Sequence, residues 1–99
     1  MDSLKAEATL ELLMPLLWDL TQDKESTKIR YAALLLTNRS FHIYPSLIPT
    51  TIEPLIEGLL HYLKDDEEKI ASVACRNIST LFKVVYNQTF KKVSYFFGL

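Results

Sequence analysis

The segment Pro15-Leu16-Leu17 returns as Pro54-Leu55-Ile56 after 39 positions, Lys28-Ile29 returns as Lys69-Ile70 after 41, and Ala33 returns as Ala74 after the same 41. The two-residue drift between these spacings matches a slightly longer polar break, KDDEE, in the second copy. A period near 40 constrains the chain more than any other feature. A unit of that length holds two helices and buries its apolar faces against a neighbouring unit. The 99 residues are enough for one domain made of two such copies.

Within each copy the apolar residues recur at helical spacing. In TIEPLIEGLLHYLKD, the residues Ile52, Leu55, Ile56, Leu59, Leu60 and Leu63 draw one stripe. Thr50 or Thr51 is the expected cap, and Glu53 would complete a capping box on Thr50. Pro54 falls in the first turn, where a missing N–H costs least. In KDDEEKIASVACRNISTLFKVVYN, Asp65, Asp66, Glu67 and Glu68 precede a stripe of Ile70, Val73, Ala74, Ile78, Leu81, Phe82 and Val85. Carboxylates suit the free N–H groups of a helix start, whereas a calcium loop would need alternating ligands and a turn glycine.

The first copy has the same layout. Leu10, Leu13, Leu16, Leu17 and Leu20 give a broad apolar face, with Pro15 either kinking the helix or marking where its regular part begins. TQDKES is a polar break with Asp23 and Ser26 as capping residues, and Ile29, Ala32, Ala33 and Leu36 form the core side of the next helix. FHIYPSLIPT joins the copies, and its two prolines bar a continuous helix. The expected fold is all-α, with two stacked antiparallel helix pairs and four main helices. It forms a single domain: copy one at about 7–42, copy two at about 50–87 and an apolar tail at 88–99.

The stretch PLLWDLTQDKESTKIRYAALLL resembles a HEAT repeat through Pro15, Leu16, Leu17, Asp23, Ile29, Arg30, Ala32 and Ala33. PLIEGLLHYLKDDEEKIASVAC repeats the pattern through Pro54, Leu59, Asp65, Ile70 and Ala74, but Ala71 stands where the arginine would be. That departure puts an arginine–aspartate ladder between copies in question. The resemblance spans about residues 10–86. Within the HEAT and armadillo superfamily, IRYAALLL and LLHYLKDDEEKIASVACRNI are similar to Maestro-type HEAT-like repeats. The resemblance implies an α-solenoid that serves as a protein-binding scaffold. An ordinary four-helix bundle is the competing reading. In either case Ala32, Ala33 and Ala74 let helices approach closely. Arg30 covers apolar surface with its stem and turns its head to a turn carboxylate or to solvent.

Composition removes several functions from consideration. A net charge of −1 makes no strong basic field. The strip Arg76, Lys83, Lys91 and Lys92 lacks the density of a nucleic-acid binder. No apolar run approaches the roughly 20 residues of a bilayer span. The opening stretch lacks a basic n-region and is interrupted by Glu7, Glu11 and Asp19, unlike a signal peptide. Cys75, the single cysteine, suits a reducing compartment, the cytoplasm first and the nucleus second. Asn38, Asn77 and Asn87 each begin an N-x-S/T triplet, but two of these fall in expected helices and are read as coincidence.

No phosphate loop, zinc spacing or nucleotide turn is present. His42 and His61 are isolated, Glu57 and His61 form an ordinary i, i+4 helix pair, and Cys75 reads as a small core residue. The expectation is a protein that is not an enzyme and has no cofactor, metal site or small-molecule substrate.

Function would then lie on surfaces. With the second helix of each pair as the inner wall, the face opposite the core stripe carries Thr27, Tyr31, Leu34, Leu35 and Asn38 in copy one. In copy two it carries Ser72, Arg76, Ser79 and Lys83. Tyr31, Leu35, Asn38, Ser72, Arg76 and Lys83 are the candidate partner-binding residues. Two repeats are fewer than the three or so that a free solenoid needs, so both ends should expose apolar surface. Trp18, Tyr95, Phe96, Phe97 and Leu99 are the candidates for self-association. The leading expectation is a non-catalytic interaction module. The alternative is a small helical bundle that homodimerises by its apolar ends.

Overall fold

Asp23 and Ser26 build the first turn between helices. The Asp23 carboxylate accepts hydrogen bonds from the backbone N–H groups of Glu25 (2.9 Å) and Ser26 (2.8 Å). The Ser26 hydroxyl then caps the following helix by accepting from the N–H of Ile29 at 3.2 Å. The computed structural model describes residues 3–98, with the side chains of residues 3, 96 and 97 outside the description. It is all-α, with four main helices: α1 (Ser3–Thr21), α2 (Thr27–Ile43), α3 (Glu53–His61) and α4 (Glu68–Phe97).

The helix α1 continues on both sides of Pro15, so this proline does not mark its start. α2 ends just before Tyr44-Pro45, whose geometry cannot continue an α-helix. A single 3-10 turn, Pro45–Leu47, follows. The capping box expected at Thr50 is not made, because the N-cap is Ile52 and carries no side-chain bond. Glu53 therefore stands at the first helical position, too early to reach back as a capping-box residue. Pro54 lies in the first turn as its fixed φ dictates. A second 3-10 turn, Tyr62–Lys64, closes α3. The Asp65 carboxylate then accepts from the N–H of Glu67 at 2.9 Å before α4 begins.

Two helix pairs result, α1–α2 and α3–α4. In the first, the Ser46 hydroxyl donates to the Glu7 carboxylate, tying the start of α1 to the region beyond the end of α2. The pairs meet along α2 and α4, which run parallel. The Asn77 Nδ2 donates to the carbonyl of Leu34, and the Thr80 hydroxyl donates to Asn38 Oδ1, partners 43 and 42 positions apart. At the other side of the seam the Tyr62 hydroxyl donates to the carbonyl of Thr21, 41 positions away. Contacts between the pairs thus fall within two positions of the 41-residue offset of the sequence repeat.

The core lies in this seam. Leu34, Leu59, Ile70 and Leu81 have no exposed surface, and each contributes on the order of 1.5–3 kcal/mol by burial. Ala33 and Ala74 are buried at 3% and 0% exposure, as close helix approach requires.

The expected core stripe of α2 is corrected here. Ile29, Ala32 and Leu36 are exposed, whereas Leu34 is fully buried and Leu35 packs on the core. α2 is the middle helix, and its Leu34 side faces α4. Its Ile29–Leu36 side faces away from the second pair and has nothing over it among the described residues.

α4 also differs from expectation at its far end. It runs on as one helix through the expected tail and ends at Gly98, whose φ of 71° supplies the left-handed cap. Thirty residues make α4 about 45 Å long, which sets the 51 Å dimension of the molecule.

Candidate interaction surfaces

The six residues expected on one inner face do not form one. Tyr31 is half-buried, with the Lys69 ammonium 5.3 Å from its ring centroid. Leu35 is half-buried against the core, and Asn38 accepts from Thr80 at 2.7 Å. All three are drawn into the α2–α4 seam, because the side of α2 taken as outward is where α4 packs. Ser72, Arg76 and Lys83 on α4 are exposed. Ser79 and Cys75 join them, making the first half of α4's outer side polar.

Beyond it the same helix turns apolar. Phe82, Tyr86, Phe90 and Val93 are all exposed, with the rings of Tyr86 and Phe90 stacked at 6.4 Å. Tyr95, a self-association candidate, is exposed at 91%. The side chains of Phe96 and Phe97, and Leu99 altogether, lie outside the described residues.

Trp18 sits elsewhere than at a chain end. It is half-buried between the pairs, packed on the core and on Gly58. A Cβ at Gly58 would stand 2.7 Å from Trp18 Cζ2, so the absence of a side chain there is what admits the indole.

At the turn end of the seam an open groove of about 700 Å³ is lined by Trp18, Arg30, Gly58, Tyr62 and Asp65 among others. Arg30 spans it. Its Nη1 donates to the carbonyl of Asp23 at 2.8 Å, and its Nη2 donates to the Thr27 hydroxyl at 3.3 Å and lies 3.8 Å from the Asp65 carboxylate. One arginine thereby links the turns of both pairs, although Ala71 replaces its counterpart. Burial raises the Tyr62 pKa above the usual tyrosine value, with Asp65 adding to the rise, while the bond to Thr21 and the Arg30 charge work against it. A smaller cleft of about 370 Å³, lined by Met14, Trp18, Phe41, Leu47 and Leu55 among others, lies between α1 and the linking segment.

The apolar end expected at copy one lies on the side of α1 and α2 away from the second pair, but on residues other than the expected Trp18. Leu13, Leu16 and Leu20 of α1 and Ile29, Leu36 and Ile43 of α2 are exposed there, between 39% and 62%. The repeat itself contained the signal. A helix face that copy two buries against copy one has no preceding copy to cover it in copy one.

Asn77 is fully buried and bonded, so a glycan on it is incompatible with this fold. Among the described residues, no cluster of three or more metal-ligating side chains forms and no helix is long and apolar enough to cross a membrane. Compared with known proteins, the chain matches no family model, no curated protein and no solved structure.

Proposed function

We propose that the chain is a non-catalytic protein-interaction module of the HEAT-like helical-repeat kind. The carrying observation is that the two helix pairs stack in the register of the sequence repeat, with partners 41–43 positions apart, as units of a solenoid do. Such a stack works by display. Its seam is filled by apolar side chains and its outward helix sides are free for partners. The exposed polar side of α4, with Ser72, Arg76 and Lys83, is the surface we assign to a protein partner, arginine being a residue type enriched at interface anchors. The exposed, unpaired thiol of Cys75 supports a reducing compartment such as the cytoplasm.

The test is quantitative co-purification of the tagged chain from its native cells, beside an Arg76→Ala, Lys83→Ala double variant. Both positions are exposed, so folding is unaffected. The expected result is at least one protein recovered in stoichiometric amount with the wild type and lost with the variant. Equal recovery with both proteins removes the α4 surface from the account. Recovery of the chain with no stoichiometric partner sinks the module reading.

A further inference from the structure

Copy two shows how this fold treats the side of a second helix that faces the preceding pair. Ile70, Val73 and Asn77 of α4, the helix packed against α2, are exposed by only 0%, 2% and 0%, and Asn77 bonds the Leu34 carbonyl of α2 directly. Their counterparts 41 positions earlier, Ile29, Ala32 and Leu36, are exposed. Ile43 extends that row, and Leu13, Leu16 and Leu20 of α1, the helix packed against α2, are exposed as well. This apolar face is continuous with the α1–α2 seam and corresponds, residue for residue, to an interface the chain already makes once.

The spacing on α2 identifies the occupant. Ile29 and Ile43 lie seven residues on either side of Leu36, two helical turns each way, so the row reads Ile-Leu-Ile in both directions. A row symmetric about its centre complements itself when two such helices meet antiparallel across a twofold axis. Leu36 then meets its own copy, and Ile29 meets the second copy's Ile43. The exposed Ala32, being small, leaves room for the stem of the other chain's Arg39.

Head-to-tail stacking fits less well. The α4 positions corresponding to Tyr31, Leu34, Leu35 and Asn38 are Ser72, Cys75, Arg76 and Ser79, which would press a guanidinium and hydroxyls onto leucines. The extent also suits a dimer. Helices of 19 and 17 residues, about 25 Å long and about 10 Å wide, give a footprint of roughly 500 Å² in plan. With side-chain relief this approaches the ~800 Å² of accessible surface per partner in a standard interface.

We propose that two copies of the chain associate head to head through their α1–α2 end faces, with α2 antiparallel to α2 about a twofold axis at Leu36. The proposal goes beyond the interaction reading and is separable from it, since the α4 surface stays free for another protein in the dimer.

Sedimentation of the full chain over a concentration series tests the assembly, with Leu36→Asp and Phe90→Asp variants alongside. The wild type should sediment at twice 11.4 kDa. Leu36→Asp, which buries two like charges at the axis, should raise the dimer Kd at least about 100-fold, while Phe90→Asp on the α4 end leaves it unchanged. A wild type that stays monomeric throughout overturns the proposal, as does a dimer that survives Leu36→Asp and falls apart with Phe90→Asp.

Should the aspartate variant unfold, a cysteine replacement decides. In a Cys75→Ser background, Leu36→Cys should cross-link to its own copy under mild oxidation about 100-fold faster than Phe90→Cys. Equal rates overturn the twofold seam.

Discussion

Tyr62 fills the seam with its ring and ties the two turns together with its hydroxyl, which donates to the carbonyl of Thr21. Desolvation of the phenol raises its folded-state pKa above the unfolded value near 10. The stability contributed by the neutral side chain is therefore complete below about pH 10 and is lost as pH rises through the folded-state value. Tyr62→Phe keeps the ring and removes the O–H. We predict a loss of about 1 kcal/mol at neutral pH and a shallower decline in stability towards about pH 11 than in the wild type. Urea unfolding of both proteins across that range measures it, and identical alkaline slopes would contradict the assignment. Single positions were unevenly legible in the sequence. Ala33, Leu59, Ile70, Val73, Ala74 and Leu81 lie on the expected stripes and are buried. Asn77 falls among the apolar positions of the α4 stripe without belonging to it, yet it is fully buried, its amide donating to the carbonyls of Leu34 and Val73 at 3.0 and 3.1 Å. Its value comes from a backbone group on a distant helix, which no local pattern reveals.

Between elements, Trp18 of α1 meets Gly58 of α3. Gly58→Ala has two opposed effects. Alanine is the better helix former by about 1 kcal/mol, but its Cβ would sit 2.7 Å from the indole and displace it. Displacing a ring packed on the core costs about 1–3 kcal/mol, so the net change should be destabilising. The same substitution in a Trp18→Phe background, where the smaller ring leaves room, should be neutral or stabilising. A double-mutant cycle by thermal or urea unfolding tests this, with Trp18 emission reporting the displacement in the single variant. Additive effects would show that the glycine is not there for the indole. Helix existence was readable at this scale, because the 3.6-residue period and the prolines are local. Helix facing was not. Every amphipathic pattern offers more apolar positions than one neighbour covers, and the choice on α2 was made by α4, more than forty residues away in the chain. The far end of α4 was misread for the opposite reason: nothing in TFKKVSYFF stops a helix before Gly98.

At the scale of the molecule the two ends of the stack differ. Buried residues fall between Thr21 and Leu81, and beyond Val85 the described side chains of α4 are exposed apart from a half-buried Ser94. A helix end without packing keeps its backbone bonds only at the low intrinsic stability of an isolated helix, whereas the turns of α4 beside α2 open only when the core does. Amide hydrogen exchange should therefore show residues 88–95 far less protected than residues 73–81 of the same helix. The head-to-head dimer adds a second expectation. Raising the protein concentration should slow exchange in α1 and α2, where the apolar face becomes covered, and leave residues 88–95 unchanged. Concentration-dependent protection of the α4 end, with α1 and α2 unaffected, would place the self-association surface on Phe82, Tyr86 and Phe90 instead. The two results cannot be confused, because the faces lie on opposite sides of the α2–α4 seam and no described residue belongs to both.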